Sequence, residues 1–164
     1  MKMRQHMKTM FLTAISGVVL AIMFSLTVTQ ATQDGDADQL AGTWQVEITQ
    51  RNCQTSAAIR TFPALNIFVR GGAMLGTSAG ASPTAFSNGY GVWQHMGGQN
   101  FTNTFIVFRF NPDGTYAGTQ KFTRTIVLGQ DANEYTSTEA IEILDPSGNV
   151  IATGCSTGAG RRLE

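Results

Sequence analysis

Hydrophobic and polar residues alternate along most of this chain with a period of two, which predicts strands rather than helices. In residues 43–51, Trp44, Val46 and Ile48 fall on one face while Gln45, Glu47 and Thr49 fall on the other, the pattern of a half-buried first strand. Apolar patches at 65–69 and 73–77 flank Gly71 and Gly72 and suit either one bent strand or two elements. Further strands are predicted at 90–95, 101–110, 115–128, 134–144 and 150–157. Turn chemistry separates them. Asn111-Pro112-Asp113-Gly114 and Asp145-Pro146-Ser147-Gly148-Asn149 combine a proline that presets one backbone angle with a glycine that accepts a positive one, and Asp131-Ala132-Asn133 reads as a third turn. Residues 54–63 lack periodicity and read as a loop with a helical turn, and residues 78–88 read as a mobile loop or lid carrying Phe86. An antiparallel meander follows from such short connections.

The faces of these strands suggest what they enclose. Tyr116, Phe122, Ile126 and Leu128 share one face of residues 115–128 with Gly118, Gln120 and Arg124. If that face is inside, its polar groups need partners, and a barrel with a lined cavity can supply them from ligand or water. If it is outside, the threonine-rich opposite face forms the core. Periodicity leaves both arrangements open.

The start of the chain changes the picture. Lys2, Arg4 and Lys8 precede an apolar run from Met10 to Val28, and Thr29-Gln30-Ala31 offers small residues for cleavage, so residues 1–31 read as an export signal. An acidic linker, 32–39, then leads into one domain, 40–164. Three of the 11 Lys and Arg lie in the leader, whereas all 11 Asp and Glu follow it, giving the mature chain eight positive against eleven negative charges. That balance offers no basic footprint for nucleic acid or for an anionic membrane, and no stable membrane insertion is expected after cleavage. A secreted or periplasmic location also gives the two cysteines, Cys53 and Cys155, reason to bridge. Closing a loop of that length stabilises by about 4–5 kcal/mol in the chain-entropy account.

Candidate chemistry is sparse. His95, the one histidine after the leader, would need a carboxylate partner to act as a base. Glu47 and Glu139 could meet across strands, and an inward pair would raise one pKa for acid–base work; Glu142 is a third strand carboxylate. An inward arginine among Arg70, Arg109 and Arg124 would suit a ligand carboxylate. The chain has no nucleophile elbow, phosphate loop, CxxC pair or His-Glu-x-x-His run, so no catalytic residue, metal or cofactor is assigned.

Gly42-Thr43-Trp44 resembles the Gly-x-Trp signature of calycins, the barrel group that contains lipocalins and fatty-acid-binding proteins. The resemblance implies that Trp44 closes one barrel end against a basic residue near the end of the last strand, for which Arg161 or Arg162 is available and Arg161 is chosen. Gly91-Val92-Trp93, residues 108–115, Gly118-Thr119-Gln120 and residues 148–155 are similar to a group of exported bacterial proteins, which implies a barrel and an extracytoplasmic location and brings no catalytic residues. A small barrel such as that of allene oxide cyclase or dirigent proteins has the same turn-rich, helix-poor pattern.

The sequence thus predicts an all-β, antiparallel up-and-down barrel of about eight strands, calycin-like or allene-oxide-cyclase-like. Its expected function is binding of a small apolar ligand, lined by Trp93, Phe105, Phe108, Tyr116, Phe122 and Arg124, with the loops at 54–63 and 78–88 framing the mouth. The alternatives are a barrel isomerase or cyclase acting on an apolar substrate, and an extracellular interaction or inhibitor module working through the loop around Phe86. Ligand identity and oligomeric state are not legible.

Overall fold

A computed structural model describes residues 38–163; the expected signal peptide and nearly all of the linker lie outside the described residues. The described chain is all-β. Eight strands run in sequence: β1 (Gly42–Arg51), β2 (Ala58–Phe68), β3 (Ala73–Ser78), β4 (Gly89–Gly97), β5 (Asn100–Phe110), β6 (Tyr116–Leu128), β7 (Glu134–Leu144) and β8 (Val150–Arg162). Each pairs antiparallel with the next, and β8 returns to pair with β1, so the sheet closes into an up-and-down barrel with no free edge.

The turns form as their residues dictate. Gly114 (φ 82°) and Gly148 (φ 86°) take the left-handed positions. Asp113 accepts from the Thr115 amide and Asp145 from the Ser147 and Asn149 amides, each at 2.9 Å. Cys53 and Cys155 form a disulfide across the β1–β8 seam, where Arg51 pairs with Cys155. The bond spans 102 residues of sequence.

Two predicted boundaries are corrected. Residues 58–63 are strand, not loop: β2 pairs with β1 from Ala58 onward. Pro63 is tolerated there because β3 ends beside it. The Pro63 carbonyl accepts from Ala79, just past the last β3 residue, so its missing N–H faces a side where the ladder has run out. The last strand also runs on to Arg162, beyond the predicted end at Thr157.

The inward face is the mixed one. In β6 Arg124, Ile126 and Leu128 are buried, while Thr123, Thr125 and Val127 between them are exposed. The threonines therefore lie outside, where Thr102, Thr125, Thr138, Thr157, Thr49 and Thr61 align in register across β5, β6, β7, β8, β1 and β2. Thr49 and Thr61 hydroxyls lie 3.1 Å apart, a cross-strand pairing that suits β-branched residues on a solvated sheet face.

Candidate functional site

The barrel interior is built in three levels. The lowest is an apolar plug. Trp44, Phe68, Phe101, Leu40, Ile126 and Leu128 are fully buried there. Arg162 lies over the Trp44 indole, 4.3 Å from its ring centre, and donates to the carbonyls of Ala132, Ala41 and Gln39 at 3.0, 2.7 and 2.6 Å. Trp44 Nε1 donates to the Leu40 carbonyl at 3.0 Å. Gly42 belongs to this arrangement: its φ is 141°, and a Cβ there would run into the Arg162 guanidinium. The plugging arginine is therefore Arg162 and not Arg161. Arg161 points outward, its side chain 79% exposed, and pairs with Glu134 at 3.1 Å.

Above the plug lies a buried polar level. Arg124 and Glu139 face each other from adjacent positions of β6 and β7, with side chains 3% and 2% exposed. Nε and Oε1 are 2.7 Å apart, angled as a charge contact rather than an aligned hydrogen bond. The Ser156 hydroxyl donates to the other Glu139 oxygen at 2.6 Å. With its amide oriented to satisfy both ends, the Asn66 oxygen accepts from Tyr135 Oη at 3.0 Å and from Arg124 Nη1 at 2.8 Å, while its nitrogen donates to the Leu65 carbonyl. Burial pushes the Tyr135 phenol above its ordinary pKa, which keeps it a donor. Asn103 gives its Nδ2 to the Val92 carbonyl. Asn103 Oδ1 and the Ser137 hydroxyl are buried with no hydrogen-bond partner among the described residues.

The third level is a cup open at the other end. Ile48, Phe62, Ala64, Phe105, Val107, Phe122 and Ile141 form its wall, and Asn66, Arg124 and Ser156 contribute to its lining from the polar level. It encloses about 200 Å³. Phe105 and Phe122 stack in parallel, 4.4 Å between ring centres and 1° between planes, and Arg124 sits 5.0 Å above the Phe105 ring. Gln50, Arg60 and Gln120 stand at the mouth. The connection after β3 folds across it: Phe86 bridges to Arg109, Ser87 donates to the Phe108 carbonyl at 3.0 Å, and Phe110 donates to the Ala85 carbonyl at 2.9 Å.

Three of the six residues predicted to line a ligand site, Phe105, Phe122 and Arg124, therefore come together at the cup. The other three lie elsewhere. Trp93 is in the plug, edge-on to Phe68 and donating to the Val69 carbonyl at 2.9 Å. Phe108 and Tyr116 are on the outside, about half exposed, and pack edge-on against each other. A bulge explains Tyr116. The β5–β6 register shifts between Arg109, opposite Gly118, and Phe110, opposite Tyr116, and Gly118 takes φ 114°, so alternation is interrupted between Tyr116 and Gly118. Residues the sequence reading passed over are Asn66, Tyr135 and Ser156. Asn66, between inward Ala64 and Phe68, and Tyr135, on the alternating inward face of β7, carry a readable signal, whereas Ser156 sits between Gly154 and Gly158 and carries none.

The acid–base candidates do not assemble. Glu47 faces solvent on β1, β8 separates it from β7, and Glu139 faces inward, so the two carboxylates do not meet. Glu142 pairs outside with Lys121 at 2.9 Å. His95 rests on Phe101 and shares a hydrogen bond with the Gly98 carbonyl at 2.7 Å. Arg70 is exposed, 3.8 Å from Asp38. Among the described residues no group of three His, Cys, Asp or Glu is placed to hold a metal ion. Comparison of the chain with models of known protein families, with characterised proteins and with solved structures finds no match.

Proposed function

We propose that this protein is an exported, calycin-like barrel that holds one small, mainly apolar ligand in the cup between the polar level and the mouth. The observation that carries this reading is the wall made by the stacked Phe105 and Phe122 beside an open space of about 200 Å³. A plugged base, an apolar wall and a few convergent polar groups are the usual composition of a small-molecule site. The space is below the roughly 300–1,000 Å³ that holds drug-sized ligands, so the ligand is a single small ring system or a short chain. The disulfide agrees with an oxidising compartment.

An isomerase or cyclase would draw on Glu139, the inward strand carboxylate. Glu139 is engaged by Arg124 and Ser156 and is not among the residues lining the cup, which favours binding over catalysis. Native mass spectrometry of the protein recovered from its exporting cell, followed by denaturation, tests the proposal. Stoichiometric release of a small molecule supports it. An empty protein that also fails to take up 1-naphthol contradicts it.

A further inference from the structure

We infer that the cup selects against anionic ligands and takes a neutral planar ring carrying one hydrogen-bonding group. This deepens the binding proposal and rests on it. An inward arginine ordinarily marks a site for a carboxylate. Here the charge of Arg124 is already matched by Glu139 at 2.7 Å, with both side chains out of water, and one of its terminal nitrogens is taken by the Asn66 oxygen. The floor of the cup is therefore polar but without net charge. A ligand carboxylate reaching it would bring a negative charge close to Glu139, away from solvent, at a desolvation cost that the already matched Arg124 does not offset; Arg109, whose Nη1 is buried without a hydrogen-bond partner among the described residues, does not line the cup. Arg60, at the mouth, is solvent-exposed and held by Gln50, so its attraction is screened. A neutral hydroxyl, by contrast, can meet the Ser156 oxygen or the Asn66 amide while its ring lies against Phe105 and Phe122.

Titration of the disulfide-intact protein with 1-naphthol and with 1-naphthoate at neutral pH reads this directly. The inference expects 1-naphthol to bind tighter by roughly tenfold or more. Glu139→Gln, which frees the Arg124 charge, should narrow or reverse the preference; the wild-type comparison stands whether or not that variant folds. Equal or tighter binding of 1-naphthoate to the wild type overturns the inference while leaving the cup as a binding site. Failure of both probes overturns the binding reading itself.

Discussion

Arg162 covers the face of Trp44 while its guanidinium donates to three main-chain carbonyls, so one side chain joins the start of β1, the segment before it and the β6–β7 turn to the end of β8. The pair closes the barrel base. Burial lowers the Arg162 pKa from its ordinary value, the expected direction for a cation partly removed from water. Arg162→Ala gives up charged hydrogen bonds and a ring contact together, and we expect a loss of about 2–4 kcal/mol in denaturant unfolding. Arg161→Ala, at an exposed pair, should change stability by less than about 0.5 kcal/mol. Equal effects would mean the base is not held as described.

The adjacent arginines also show what a sequence can and cannot say. Gly42-Thr43-Trp44 and a basic residue near the chain's end were legible, but alternation could not choose between Arg161 and Arg162. The inward positions before them are Ser156, Gly158 and Gly160, and residues without apolar side chains leave no periodicity to count back from. Strands with strong alternation and proline–glycine turns were read correctly, as was the disulfide seam. Residues 58–63 were missed because Arg60 and Pro63 mask a strand that forms only through pairing with β1. Of the site, the mixed face of β6 was visible, but its direction depends on closure of the whole sheet.

The disulfide ties the seam across a long stretch of chain. Replacing Cys53 and Cys155 together by Ala should lower stability by up to about 4–5 kcal/mol. Because the β1–β8 ladder remains, the variant should keep its strand content by far-ultraviolet dichroism. Loss of that signal at 25 °C would show that the ladder does not persist without the bond.

The buried Arg124–Glu139 pair should show strong coupling. Arg124→Met or Glu139→Met alone strands its partner in a buried level and should cost about 3–5 kcal/mol. The combined Arg124→Met, Glu139→Met variant should be far less destabilised than the two losses added together. Additive losses in the double-mutant cycle would show that the two groups do not interact.

Two turn aspartates contribute to the response to acid. Hydrogen bonds from the Thr115 side chain hold Asp113 below the ordinary aspartate value, and those from the Asn149 side chain do the same for Asp145. A carboxylate whose folded pKa is depressed stabilises the fold above its unfolded value, and that contribution is lost as pH falls through the folded value. Stability should therefore decline below about pH 4, the unfolded aspartate range. In Asp113→Asn, Asp145→Asn protein the decline should be shallower. An unchanged slope would remove these turns from the account.

The most direct test of the central claim is a methyl-resolved NMR titration of the protein with 1-naphthol. Ile48 and Ile141 line the cup, whereas Ile67 and Ile151 are exposed outside it. The account predicts saturable shifts at Ile48 and Ile141 with Ile67 and Ile151 unmoved. Shifts confined to the outer isoleucines, or none at any of the four, would contradict a ligand-binding cup.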